Sequence, residues 1–494
     1  MPELATAVRE LSFGEAIKEA IAEEMRRDPK VVLMGEDVAE AGTTFKVLTG
    51  LVDEFGKDRI IDTPISEAGF TGIGVGAAMT GMRPIVDIMF GDFLMIIMDQ
   101  VANQAAKIHY MSGGKWKVPL VIRATMGATR RSAAQHSQSL HAWPSHIPGL
   151  KVVVPSTPYD AKGLFKAAVR ELTFGDAIKE AIAQEMRRDP RVVLMGEDVA
   201  EAGTTFKVLT GLVDEFGKER IIDTPISEAG FSGLCVGAAM AGMRPICDIM
   251  FGDFATIIMD QMVNQAAKIH YMSGGKWKVP MVFRLTMGAT RRSAAQHSQS
   301  LHAWPSHIPG LKVIVPSTPY DAKGLFKAAV RDDNPCVIFE HKISYRKVKG
   351  PVPEDDYVVP IGVADVKREG KDLTIIATSS MVQTALAGAK LCEEVGIDVE
   401  VVDPRTMWPL DEKTLIESAK KTSRAMVIDE GYFRYGVTGE IASIIQEQAF
   451  YDLDGPVRRM GAMHVPIPFS PPLEDVTVPS DTQVFELARQ MCNR

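Results

Sequence analysis

Four residue types recur with spacing that could do chemistry. They are an acid just after a short apolar run, a second acid opening a glycine-rich stretch, an aromatic residue, and a histidine in a polar loop. The acids are Glu197 in MGEDVAEAG and Glu228 in IDTPISEAGF; the aromatic residue is Phe254 in FGDF, and the histidine is His297 in AAQHSQSLHAW. Glu36, Glu67, Phe93 and His136 repeat the set 161 residues earlier. A carboxyl at the mouth of a buried glycine-rich helix is poorly solvated, which is expected to raise its pKa and let it share a proton with a ligand base. The alternative is a helix-start carboxylate that serves backbone amides and the dipole. A histidine among Gln and Ser could be an acid/base or only a hydrogen-bonded surface group. Residue types alone leave both alternatives open.

Other patterns fail on their own chemistry. Gly72-x-Gly74-x-Gly76 lacks the dinucleotide spacing and an acidic ribose partner, and Cys235 stands where Gly74 does in the second copy. Ser112-Gly113-Gly114-Lys115 lacks the glycine a phosphate loop places five residues before its lysine. His136, His141 and His146 recur every five residues, whereas zinc-binding helices place histidines at i and i+4.

The elements that must position the four residues read as alternating strands and helices. Phe13–Arg27 has helical apolar spacing and stops at Asp28-Pro29. Val31–Met34, Ile60-Ile61, Ile85–Met89, Val118–Arg123 and Leu150–Val154 read as strands, with helices over 69–81 and 93–111. Alternation of this kind implies a parallel sheet covered on both faces, with ligands at the carboxyl ends of the strands.

Residues 10–170 align with 171–331 without a gap, and 143 of the 161 positions are identical. The repeat is either a recent whole-domain duplication or a product of gene assembly; solenoid units are far shorter. The unique part begins at Asp332. Residues 346–360, with three prolines, are expected to be a linker. Beyond it, strands at 373–377, 399–403 and 425–429 and helices at 381–395, 411–419 and 438–451 make a second, smaller α/β domain over 361–494. The organisation expected is therefore 10–170, 171–345, a linker, and 361–494.

The 494 residues would suggest roughly three domains at about 150 residues each. The net charge of −8 and the lack of a basic run longer than Arg130-Arg131 argue against nucleic-acid binding. No apolar stretch approaches the roughly 20 residues a membrane span needs. The five cysteines all follow residue 234 without paired spacing, which points to a reducing compartment. With no signal-like start, a cytoplasmic location is expected.

The runs MGEDVAEAGTTFKVLTGL, RIIDTPISEAGF, GAAMAGMRPICDIMFGDF, DQMVNQAAKIHYMSGGK, AAQHSQS, PGLKVIVPSTPYDAKGL and IPFSPPLED resemble one family. It is the β subunit of the thiamine diphosphate-dependent 2-oxo acid dehydrogenases, the decarboxylating first component of the pyruvate, branched-chain and acetoin complexes. The resemblance covers 171–494 end to end and 10–170 once more. It implies a transketolase-like pyrimidine-binding domain in two copies and a transketolase C-terminal-type domain. It implies that Glu228, and in the first copy Glu67, hydrogen-bonds the aminopyrimidine ring nitrogen, so that the imino tautomer can remove the thiazolium carbon proton. Phe254 and Phe93 would pack on the pyrimidine, Glu197 and Glu36 would stand near it, and His297 and His136 would steer protons or receive the lipoyl arm. Met281, Ala329, Asp332 and Asn334 match a loop that in some members holds potassium through oxygens.

The family also needs Gly-Asp-Gly followed later by Asn to hold magnesium and the diphosphate. This chain has Gly-Asp-Phe at Gly91 and Gly252. The resemblance thus implies a separate α subunit carrying the magnesium half, an α/β hetero-oligomer with β–β association, and docking on a lipoyl acyltransferase core. Pyruvate is the first choice of substrate, with acetoin and branched-chain 2-oxo acids next. A non-catalytic assembly module and a split transketolase acting on sugar phosphates are the other readings. The second copy is expected to be the working one and the first a tethered passenger or an imitation of a second β subunit.

Overall fold

The computed structural model describes residues 11–113, 115–127, 136–169, 171–289, 292–353 and 356–493. The expected first-repeat start at residue 10, the Arg130-Arg131 pair and Arg170 lie outside them. The chain divides into two compact units. One is the first repeat; the other is the second repeat together with the C-terminal domain.

In the first unit, Ser12 starts the helix Phe13–Arg27 through a capping box: its hydroxyl accepts the Glu15 amide, and the Glu15 carboxylate accepts the Ser12 amide. Lys162, on the last helix Pro158–Val169, bridges Glu19 and Glu23 at 2.8 and 2.9 Å. The sheet has four parallel strands in the order Ile60–Asp62, Val31–Gly35, Arg83–Ile88, Val121–Ala124. Val31–Gly35 is buried throughout, as a parallel strand covered on both faces must be.

The second unit repeats those strands as Ile221–Asp223, Val192–Gly196, Arg244–Ile249 and Val282–Met287, then continues. Cys336–His341 adds parallel to Val282–Met287, Lys312–Ile314 adds parallel to Cys336–His341, and Thr406–Trp408 closes the edge antiparallel. Apolar clusters cover both faces of this seven-stranded sheet. The C-terminal domain has five strands in the order Asp365–Arg368, Val399–Asp403, Leu373–Ala377, Ala425–Tyr432, Arg458–Ala462, antiparallel only at Asp365–Arg368.

Three expectations are corrected. The single helix over 93–111 is broken: a 3₁₀ turn Gly91–Phe93 leads into Leu94–Met98, a wide π turn Asp99–Ala105 and a last turn Ile108–Met111. The π turn Asp260–Ala266 in the second repeat does the same. Its extra residue re-phases the apolar face, so that Ile258, Met262, Ala266 and Ala267 all turn inward. The strand expected at 150–154 is absent from the first repeat but present as Lys312–Ile314 in the second. That strand needs Cys336–His341 as its partner, and Cys336–His341 follows only the second copy. Residues 346–360 are not a free linker. Lys349–Pro351 is a strand, Val352 and Val359 are buried, and the Val359 amide donates to the Gly324 carbonyl at 3.1 Å.

Candidate active site

Each of the four residues Glu197, Glu228, Phe254 and His297 follows the carboxyl end of a parallel strand. Glu197 follows Val192–Gly196, Glu228 follows Ile221–Asp223, Phe254 follows Arg244–Ile249, and His297 follows Val282–Met287. Backbone amides and side chains gather there because the strands stop and the crossovers turn away. Gly252 permits one of these turns: a Cβ on it would lie 2.6 Å from the Thr286 carbonyl oxygen.

The acids form a pair. Glu228 opens the helix Glu228–Met240 and is 8% exposed. Its carboxylate makes no hydrogen bond to protein among the described residues, so its oxygens remain free for a ligand. Burial, then the neighbouring Glu228 charge and then Asp198, hold the Glu197 carboxyl above the ordinary carboxylate value. The sequence did not single out Glu197 as a carboxyl with a raised value.

The aromatic residue and the histidine form a second group. The His297 ring meets Phe254 edge-on with centroids 5.6 Å apart and stacks on Phe251 at 4.3 Å. Phe206 packs edge-on against Phe251 at 5.7 Å. His297 Nδ1 lies 2.5 Å from the Gln296 carbonyl oxygen, and the Lys342 ammonium donates to the His297 carbonyl. Asp253 ties the two motifs together: its Oδ1 accepts the Gln299 amide and, at 2.8 Å, the Gln299 side-chain Nε2. Burial, and then the Asp253 charge, raise the Tyr432 phenol.

Phe251, Asp253, Gln299, Phe206 and Lys342 were not singled out from sequence. Asp253 and Gln299 lie inside the motifs FGDF and AAQHSQS, and an acceptor beside an amide side chain in two such motifs was the available signal.

The first repeat carries the same constellation. Glu67 is 8% exposed, and burial, then Glu67 and then Asp37, raise Glu36. His136 meets Phe93 edge-on at 5.5 Å and stacks on Phe90 at 4.2 Å. Asp92 Oδ1 accepts from Gln138 Nε2 at 2.8 Å.

The loop expected to hold potassium is already rich in protein contacts. Asp332 pairs with Lys312, and its Oδ1 accepts the Asn334 amide and side chain, each at 2.9 Å. Arg244 donates to the Asp332 and Val330 carbonyls at 2.9 Å. The Met281 carbonyl takes the Cys336 amide at 2.9 Å, and the Ala329 carbonyl takes the Asp332 amide at 3.3 Å. A cation there would depend on second lone pairs of these backbone oxygens.

Comparison with known proteins fixes the family. The description "Transketolase, pyrimidine binding domain" matches residues 9–174 and again 170–348, and "Transketolase, C-terminal domain" matches 362–484. The chain belongs to this family, among the β subunits of 2-oxo acid dehydrogenase first components. It is 47% identical over 334 residues to the acetoin:2,6-dichlorophenolindophenol oxidoreductase subunit beta of Bacillus subtilis, covering 65% of this chain and 97% of that protein. It is 44% identical over 321 residues to the 2-oxoisovalerate dehydrogenase subunit beta of the same organism, covering 65% of this chain and 98% of that one. It is 47% identical over 322 residues to the pyruvate dehydrogenase E1 component subunit beta of Rickettsia felis, again covering 65% and 98%. A solved structure titled as a split gene transketolase, inactive beta4 tetramer, shares the fold at a TM-score of 0.53 and 23% identity, covering 65% of this chain and 98% of its own. Among the described residues no helix is long and apolar enough to cross a membrane.

Proposed function

We propose that this chain is the β subunit of a thiamine diphosphate-dependent 2-oxo acid dehydrogenase, with pyruvate its first substrate. The observation that carries the reading is the Glu228 carboxylate, buried, free of protein donors and beside a second acid with a raised pKa. A carboxylate left without a donor in a poorly hydrated site suits a ring nitrogen with which it can share a proton. Bound, the cofactor supplies the carbon nucleophile that attacks the 2-oxo group and the electron sink for loss of carbon dioxide.

The chain's own residues supply the surroundings. Glu228 holds a proton between its oxygen and the pyrimidine nitrogen. Phe254 offers a flat apolar surface to the ring. The Glu197 carboxyl stands beside Glu228, with its pKa held up by burial and by the Glu228 charge. His297, backed by Phe251, presents a ring nitrogen for proton transfer or for the lipoyl arm that takes the acyl group. Magnesium and the diphosphate would be held by a separate α subunit, because this sequence contains Gly-Asp-Phe twice and no Gly-Asp-Gly. Potassium, where present, would sit on the 329–334 loop. A lipoyl acyltransferase core, association between β subunits and a cytoplasmic location belong to the same reading.

The test is co-purification with the α subunit, followed by decarboxylation assays with pyruvate and branched-chain 2-oxo acids and an assay of acetoin cleavage to acetaldehyde. Thiamine diphosphate-dependent turnover of pyruvate is expected. Preference for another substrate would reassign the enzyme within the family, and no dependent turnover with any of them would leave only an assembly role.

A further inference from the structure

Three contacts from the C-terminal domain converge on the segment that carries His297. Glu430, near the end of the strand Ala425–Tyr432, accepts the Ala289 amide on Oε1 at 2.6 Å and the Ser300 hydroxyl on the same oxygen at 3.3 Å. Its Oε2 takes the Ser380 hydroxyl at 3.2 Å and lies 2.6 Å from His341 Nε2. The adjacent Asp429 lies 3.1 Å from His302 Nε2, accepts the Gly431 amide at 2.8 Å and takes the Thr378 hydroxyl. Arg292 donates to Glu474 at 2.7 Å. The His297 segment is therefore held before its start, at its start and at its end by one domain, while Lys342 holds its middle.

Asp429, Glu430 and Glu474 are buried, and burying two adjacent carboxylates is expensive unless every oxygen is engaged. Replacing such a network by apolar residues is often neutral for stability, so packing alone does not call for it. The backbone is fitted to it as well. Gly288 has φ +103°, and a Cβ there would fall 2.0 Å from His341 Nε2, so only glycine lets that ring reach Glu430.

The first repeat provides the contrast. Its unit contains no C-terminal domain, and Ser139 and His141, the counterparts of Ser300 and His302, are exposed. His302 itself is 1% exposed.

We propose that Glu430 is a positioning residue for the reaction: with Asp429 and Glu474 it fixes the 292–302 segment so that His297 faces the reacting atoms. The role in turnover rests on the β-subunit reading above; the clamp itself does not. Displacing a proton-transfer group by about 1 Å costs up to ~100-fold in rate without weakening substrate binding.

The experiment has two arms. In the complex with the α subunit and thiamine diphosphate, Glu430→Ala is expected to lower kcat by ~10–100-fold, with KM for the 2-oxo acid within about twofold of wild type. Glu430→Gln, which keeps an oxygen for Ala289 and Ser300, is expected to recover most of the loss. In the chain alone, deuterium exchange in Glu430→Ala is expected to rise over 292–302 and not across 361–494. A kcat within about twofold of wild type, a matching rise in KM, a failure of Gln to rescue, or exchange rising through the whole C-terminal domain would each overturn the proposal. If the wild-type complex does not turn over at all, the β-subunit reading fails, and the exchange arm still decides the clamp.

Discussion

Val153 in the first repeat is 48% exposed, whereas Ile314, its counterpart in the second, is fully buried. The segments around them, KVVVPS and KVIVPS, differ by one methylene. Cys336–His341 makes the difference: it gives Lys312–Ile314 a partner in the second unit, while nothing equivalent follows the first repeat. The same strand brings Glu340 to Arg284, which is bonded at 2.8 and 2.7 Å by Glu340 and also paired with Asp248; the equivalent Arg123 keeps its Asp87. Nearly identical sequence thus yields an interior strand at Val282–Met287 in one context and an edge strand at Val121–Ala124 in the other. The acid pair and the aromatic–histidine pair survive in both, because they rest on the four strands that the repeats share.

The sharpest way to break this comparison is to remove the acids one at a time. In the complex with the α subunit, Glu228→Gln should lower thiamine-dependent turnover by ~100-fold or more, while Glu67→Gln should leave most of it. The reverse result would make the first repeat the working one. The next effect is on stability. Glu340→Ala leaves the buried Arg284 with Asp248 as its one carboxylate partner and should cost up to about 3–5 kcal/mol in the second unit, seen as a lowered calorimetric transition with the first repeat's transition unmoved.

A smaller effect concerns a matched pair of substitutions. A Cβ on Gly74 would lie 2.6 Å from Val86 Cγ2, while the second repeat has Cys235 and Cys247 at these two places. Gly74→Cys alone should destabilise the first repeat by about 1–3 kcal/mol, and adding Val86→Cys should restore most of it. The smallest effect should be equal in both copies. Glu36 and Glu197 are held above the ordinary 4.5, so each costs stability once the pH passes the unfolded value, and the cost grows until the folded group ionises. Glu36→Gln and Glu197→Gln should each raise the melting temperature at pH 7–8 and leave it unchanged near pH 3. A gain in one repeat only would show that the pockets differ.

Much of the fold was legible wherever local signals agree with tertiary demand. Phe13–Arg27 carries its own cap at Ser12 and its own stop at Asp28-Pro29, and Leu373–Ala377 and Val399–Asp403 are short runs rich in Leu, Ile and Val that flank the helix Met381–Glu394. What was not legible depends on distant chain. Whether 150–154 or 312–314 becomes a strand is decided by residues beyond the repeat. The prolines of 346–360 signal turns but conceal Val352 and Val359, which the second unit buries. In the site, strand-end acids and motif aromatics could be read from their spacing. The pairing of Asp253 with Gln299 could not, since it spans 46 residues, and Glu430 reaches Ala289 across 141.

Within each repeat the first and last helices pack together. Lys162 reaches Glu19 and Glu23 in one, and Lys323 reaches Glu180 at 2.7 Å in the other. A segment whose two ends close on each other can be gained or lost without tearing its neighbour. The near-identity of the copies also makes them partners for unequal recombination in the gene. Loss of one 161-residue copy from the 494 would leave 333 residues in frame, close to the 334 over which the Bacillus acetoin subunit aligns. The doubled chain is thus one crossover away from a chain with a single pyrimidine-binding domain.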